Sequence, residues 1–210
     1  ILPSLMAGAK LTLEVFCWTL VGSVPLGLVV ALGLMSRFKV VKGILRFYVW
    51  LMRGTPLLLQ LIFVFYGLPI LASWLILPRY EAALVAFILN YTAYFAEIFR
   101  SGIQSINKGQ YESADVLGLT YAQTMRRIII PQMVKRVLPP VSNEVITLVK
   151  DTALVFGIGL LDVLRTAQII VTRDFDITAF IIAAVFYLLN TAILTFIFRK
   201  LEQRYSYYTT

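Results

Sequence analysis

The stretch from Leu11 to Met35 carries a single charge, Glu14, close to its start. A helix crosses the hydrocarbon core of a bilayer with about 20 mostly apolar residues, so this run alone points to lipid as the solvent. Four further runs repeat the pattern. Phe47 to Ile70 holds Arg53 close to its beginning, Ala82–Phe99 is interrupted by Asn90 and by Glu97 near its end, and Ala179–Phe198 has Asn190 as its main polar group. The run from Val137 to Leu161 is the weakest, because it contains Glu144, Lys150 and Asp151. Gly157 and Gly159 punctuate it, which predicts a helix of roughly four turns followed by an irregular stretch. Pro25, Pro56 and Pro69 are expected to kink or end helices, which a membrane protein tolerates where neighbouring helices re-satisfy the backbone.

Composition agrees. Only 14% of the 210 residues are charged and 60% are hydrophobic, against roughly a quarter charged in a soluble domain. There is no His, and Cys17 is the lone cysteine; disulfide frameworks, Cys/His zinc sites and His-based catalytic triads are thereby excluded. The net charge of +8 is not a nucleic-acid footprint, because the basic residues lie in loops between the apolar runs. The chain opens at Ile1 without a Met, so a few preceding native residues are expected; the first run is long enough to span and lacks a basic n-region, which argues against a cleaved signal peptide.

The basic residues also set an orientation. Arg37, Lys39, Lys42, Arg46 and Arg53 lie between the first two runs. Arg100, Lys108, Arg126, Arg127, Lys135 and Arg136 lie between the third and fourth, and Arg199, Lys200 and Arg204 follow the fifth. The other side has only Lys10, Arg79, Arg165 and Arg173. The expectation is an all-α membrane protein with five transmembrane helices, amino terminus outside and carboxyl terminus inside, forming one domain over residues 1–210. No internal repeat is visible, and five spans cannot divide into two equal inverted halves of the kind many secondary carriers use. One such chain is also small for enclosing a pathway, so pairing with a second copy or a close relative is expected. Tyr205, Tyr207 and Tyr208 beside Arg204 read as an interfacial anchor.

The loop over residues 101–135 changes character. From Gln110 to Tyr121, Ala114, Leu117 and Tyr121 recur at helical spacing, and Glu112 and Asp115 suit a helix amino terminus. Gly118 mid-pattern predicts a backbone break or a close approach by another surface, and Pro131 is expected to stop the following run before a second helix returns to the membrane. Periodicity alone also fits an amphipathic helix lying on lipid headgroups. The sequence Glu112-Ser113-Ala114, then Gly118, then nine residues, then Ile128-Ile129-Ile130-Pro131 resembles the EAA loop of permease subunits in ATP-driven importers. That pattern is Glu-Ala-Ala, three residues, Gly, nine residues, Ile-x-Leu-Pro; Ser113 and Ile130 are the two departures. Arg53-Gly54-Thr55-Pro56 with Gln60, the run Tyr94-Phe95-Ala96-Glu97-Ile98-Phe99-Arg100, and Ser142-Asn143-Glu144 followed by Lys150-Asp151-Thr152 are similar to the polar amino acid branch of that family, the histidine, glutamine and arginine permeases.

The resemblance implies a type I ABC importer permease fold in a bacterial plasma membrane. It further implies two permease subunits, two ATPase subunits and an external solute-binding protein. The EAA helix would be a coupling helix seated in a groove of the ATPase, with Tyr111, Glu112, Ser113, Ala114, Gly118, Leu119 and Pro131 as coupling residues. The chain contains no GxxxxGK[ST] phosphate loop; ATP and Mg²⁺ would belong to the partner, leaving this subunit without cofactor, metal or catalysis of its own.

Ionisable groups at membrane depth are functional candidates by default. Asn143, Thr147 and Asp151 recur every four residues with Glu144 beside them, which places them on one broad helical face. Asn90, Tyr94 and Glu97 form a second stripe. The alternative is structural: polar groups binding helices together at roughly 0.6–2 kcal/mol each. That alternative suits Asn90 and Asn190, and an ion pair with Arg100, joined by Arg53, suits Glu97. Lys150 and Asp151 are read as pairing locally or forming a gate. For an amino acid ligand, half-helix amino termini, backbone amides, Thr and Gln suit the carboxylate, while Asp, Glu and carbonyls suit the ammonium. Thr55, Gln60, Thr147, Thr152, Glu144, Asp151 and Asp162 are the candidates, and Asp162 also reads as a solvated loop residue. Acidic groups outnumber Lys150 along this presumed pathway, which leans toward a cationic amino acid such as arginine, lysine or histidine. A glutamine- or glutamate-type permease shares much of the pattern. An ion-coupled secondary carrier has no use for the EAA loop, and an intramembrane enzyme has no reachable nucleophile.

Overall fold

The first apolar run grows, in the computed structural model, into a helix longer than the run itself. The structure describes residues 2–205, and every regular element among them is helical. Helix α1 (Leu2–Leu34) buries Leu5, Gly8, Thr12, Val15, Thr19, Ser23, Gly27, Ala31 and Leu34, a stripe at three- and four-residue intervals. Its buried face is made largely of small and hydroxylated residues, whereas Trp18, Val21, Val29 and Leu32 point outward. That inversion is what lipid permits: helices associate by close backbone approach rather than by hiding apolar surface. At Gly27 a Cβ would lie 2.7 Å from the Cβ of Phe95, so α1 packs along α4 (Arg79–Gln104) only with glycine there. Pro25 is carried inside α1 without a break.

The second expected span is not one helix. Helix α2 (Lys39–Gly54) ends at Thr55, and α3 (Leu57–Leu71) leaves it at 108°. Thr55 is extended (φ −121°, ψ 147°), the conformation a following proline imposes, so Pro56 turns the chain rather than merely kinking it. The corner is braced. The Gln60 amide nitrogen donates to the Met52 carbonyl (2.9 Å) and to the Thr55 hydroxyl (2.7 Å), and its amide oxygen accepts from Asn90 (3.0 Å). Tyr48 ties α2 to α4 by donating to the Leu89 carbonyl at 2.5 Å.

Helix α5 (Lys108–Val116) is a separate short rod. Asn107 caps it by accepting from the Gly109 amide, so Glu112 and Asp115 lie in its later turns, not at the amino terminus that their charge suggested. The expected periodicity to Tyr121 also stops early. Leu117 and Tyr121 are exposed, and only Ala114 of that trio is buried. Helix α6 (Tyr121–Ile158) then runs from a Thr120–Gln123 capping box through a π turn at Met125–Ile129. Pro131 therefore does not stop the helix. A proline lacks an amide hydrogen and crowds the carbonyl four residues earlier; in both α3 and α6 a π turn covers that carbonyl, Phe63–Gly67 before Pro69 and Met125–Ile129 before Pro131. The irregular stretch predicted after Asp151 is a 3₁₀ turn, Thr152–Ile158, closed by Gly159.

Helix α7 (Val163–Asp174) leaves α6 at 58°, and α8 (Thr178–Tyr205) completes the chain. Helix α4 is the hub, burying Phe87, Asn90, Tyr91 and Phe95; the main core sets these aromatics against Val15, Leu61, Leu148 and Ile158. Among the described residues three helices, α1, α4 and α8, are long and apolar enough to cross a membrane unaided, and the bent pairs α2–α3 and α6–α7 meet that requirement when each is taken together. The anchor expected from Tyr207 and Tyr208 lies outside the described residues, and Tyr205 is exposed at the end of α8.

Candidate functional site

Two regions gather the candidate residues: a protruding rod at one end of the bundle and a polar cavity inside it. The rod is α5. Its exit is a left-handed turn in which the Gly118 amide donates to the Asp115 carbonyl (2.9 Å) and the Leu119 amide to the Ala114 carbonyl (3.0 Å). This pair of bonds satisfies the last carbonyls of a helix and needs a positive φ at the turning residue; Gly118 has φ 69°, with open space around it. Glu112 and Ser113 are exposed, Tyr111 and Leu119 half-buried, and Ala114 is buried underneath. Tyr111, Glu112, Asp115, Leu119, Tyr121 and Thr124 enclose a depression of about 340 Å³. Partial burial, then the neighbouring Tyr121, raises the Tyr111 phenol above its ordinary pKa. Leu117 is 75% and Val116 88% exposed, so apolar side chains stand out from the tip of the rod. The rod is held from behind: the Arg136 guanidinium donates to the Ser105 carbonyl, and Gln132 donates to Gln110. Pro131 is half-buried at the base, away from the depression.

The cavity, about 350 Å³, lies where the α2–α3 corner meets α4 and α6. Thr55, Glu144, Thr147 and Asp151 line it together, joined by Asn90, Tyr91 and Tyr94 from α4. Tyr91 donates to an Asp151 oxygen at 2.7 Å. No hydrogen bond or ion pair engages Glu144 among the described residues, and no lysine or arginine lines the cavity. Asp151 therefore pairs with Tyr91 rather than with Lys150, whose side chain is exposed.

The remaining predicted residues lie elsewhere. Asn143 is exposed on a neighbouring face of α6, because the cavity stripe is Glu144, Thr147 and Asp151. Thr152 is fully buried and donates to the Val149 carbonyl at 2.6 Å. Gln60 is committed to the corner brace, with Asn90 as its partner. Asp162 is not a solvated loop residue. It is fully buried, caps α7 by accepting from the Leu164 and Arg165 amides (3.0 Å each), and accepts from Tyr187 at 3.1 Å. Asn190 bonds within its own helix, to the Phe186 carbonyl. Glu97 pairs with Arg100, and Arg53 approaches it at 4.0 Å, as expected. Tyr91 was missed; a tyrosine inside an apolar run needs a partner for its hydroxyl, and that need was the available signal.

The chain is similar to known proteins. The chain is 39% identical over 204 residues to the arginine transport system permease protein ArtQ of Bacillus subtilis, covering 97% of this chain and 93% of that one. It is 35% identical over 204 residues to the glutamine transport system permease protein GlnP of Escherichia coli, with the same shares covered. A crystal structure of an amino acid ABC transporter with histidines superposes with a TM-score of 0.86 at 36% identity, covering 96% of this chain and 94% of that one. Residues 23–207 match the family described as the binding-protein-dependent transport system inner membrane component. The chain belongs to that family, and is thus a multi-pass membrane transport subunit of an ABC importer, with ATP hydrolysis residing in a separate subunit.

Proposed function

We propose that the chain is the permease of a polar amino acid importer that favours cationic substrates, and that it works as one of two identical copies. In this reading its spans number five, with the amino terminus outside and the α5 end of the bundle in the cytoplasm. A solute-binding protein delivers substrate from outside. The ATPase grips α5, with Glu112, Ser113, Val116 and Leu117 at the contact, and binds the ATP and Mg²⁺ that this chain has no loop to hold. Because α5 sits between α4 and α6, whose side chains line the cavity, a closing ATPase that displaces the rod also displaces the cavity walls.

One observation carries the substrate class: among the described residues the cavity is lined by two carboxylates, Glu144 and Asp151, and by no lysine or arginine. An amino acid with an ammonium and a cationic side chain would neutralise both, while Thr55, Thr147 and Tyr94 offer hydroxyls to its carboxylate. The glutamine reading has its own support, since Thr147 and Tyr94 also suit a neutral amide and GlnP is a similar relative. The test is reconstitution of the permease with its ATPase and binding protein in liposomes. ATP-dependent uptake of arginine, lysine and histidine should exceed uptake of glutamine and glutamate; the reverse ranking would establish the glutamine reading.

A further inference from the structure

A second large cavity, about 560 Å³, is neither the rod's depression nor the polar site between α4 and α6. It opens at the α5 end of the bundle, between the last turn of α1, the length of α2 from Lys42 onward and the end of α4. Lys42, Arg46, Arg53 and Arg100 line it with a single carboxylate, Glu97. That carboxylate is already shared by Arg100 and Arg53. Lys42 and Arg46 have no acidic partner among the described residues, so the cavity holds uncompensated positive charge.

Helix α2 explains what kind of anion belongs there. Lys39, Lys42, Arg46 and Arg53 recur at intervals of three, four and seven, and so share one face. Val40, Ile44, Phe47 and Leu51 recur at four, three and four on another face, and all four are exposed. A third face, with Tyr48, Val49 and Met52, packs on the bundle. Trp50, 69% exposed, sits on the cavity rim. A helix that turns through 108° from the next segment, with an apolar face, a basic face and exposed aromatics, has the build of the limb of a bent span that meets the membrane interface. Basic pockets beside such helices suit lipid headgroups. A soluble phosphate would use the cations alone; only a molecule with both a phosphate and acyl chains uses the cations and the adjoining apolar stripe.

We propose that this cavity binds the phosphodiester headgroup of an anionic phospholipid, such as phosphatidylglycerol, from the leaflet at the α5 end, with its chains along the exposed face of α2. The test uses the assembled importer in phosphatidylcholine nanodiscs containing a phosphatidylglycerol with a photoactivatable group near its headgroup. Peptide mapping should place adducts on α2. The mole fraction of probe that half-saturates labelling should rise about fivefold for each cation removed, hence about 25-fold in Lys42→Gln/Arg46→Gln. Lys42→Arg/Arg46→Lys should restore it, and Arg199→Gln/Lys200→Gln, which removes equal charge elsewhere, should leave it unchanged. The proposal is overturned if no adduct forms on α2, as when a partner subunit covers the cavity. It is equally overturned if both neutralising pairs weaken labelling alike, or if soluble glycerol phosphate displaces the probe, which would make the site one for free phosphate.

Discussion

Glu144 and Asp151 stand about two helical turns apart on α6, and among the described residues only Asp151 of the two has a hydrogen-bond donor, Tyr91. A carboxylate inside a membrane protein without a hydrogen-bond or ion-pair partner is expensive, so in the proposed function Glu144 is the group that a substrate would complete. A hydrogen bond to a charged group contributes about 1.5–3 kcal/mol. Glu144→Gln should therefore lower the apparent affinity for arginine about 10- to 100-fold while changing that for a neutral amino acid much less, read from uptake kinetics in proteoliposomes. Equal losses for both substrates would make Glu144 a structural residue. Asp162 shows how the same chemistry has another use: two backbone amides and Tyr187 occupy its oxygens, so it holds the α6–α7 bend rather than a ligand.

At the scale of elements, legibility followed the length of the pattern. The long apolar runs predicted α1, α4 and α8, because little besides a membrane-crossing helix sustains apolarity over about 20 residues. The corner between α2 and α3 was hidden because its apolar residues continue across Pro56; the bend depends on Thr55 and on Gln60 reaching back to Met52 and across to Asn90, contacts that no single-helix periodicity contains. The π turns ahead of Pro69 and Pro131 were likewise invisible, since they convert a helix breaker into a tolerated residue. The rod was legible in place and spacing through its motif, whereas its cap was not. Gly118 links the two, because its φ of 69° is needed to end α5. A residue with a side chain there meets a left-handed penalty of about 1–2 kcal/mol, least for Asn. Gly118→Asn should retain most substrate-stimulated ATPase activity, whereas Gly118→Val should lose it with the protein still folded in the membrane, judged by size-exclusion profile and assembly with the ATPase. Equal activity in the two variants would show that the geometry of the turn does not matter to coupling.

The whole molecule sorts its charges by end. Arg37 to Arg53 and Arg100 to Arg136 gather where α1 gives way to α2 and α4 to α5. The opposite end has Arg79 beside Gly159, and Gly8 against the Asp162 backbone close to Arg165. Retaining cationic loops in the cytoplasm is the rule that orients such bundles, and the proposed docking of an ATPase on α5 requires the same side. The two requirements are independent, and one experiment tests their agreement. Cys17, the only cysteine of the sequence, is exposed on α1 inside its apolar run, so Cys17→Ala provides a background without thiols. On that background Asn107→Cys, at the cap of α5, should resist a membrane-impermeant maleimide applied to intact cells and react once the membrane is opened. Asp176→Cys, between α7 and α8, should react without opening. Labelling of Asn107→Cys in intact cells would place the rod outside, beyond the reach of any cytoplasmic ATPase, and coupling through α5 would have to be abandoned along with the orientation.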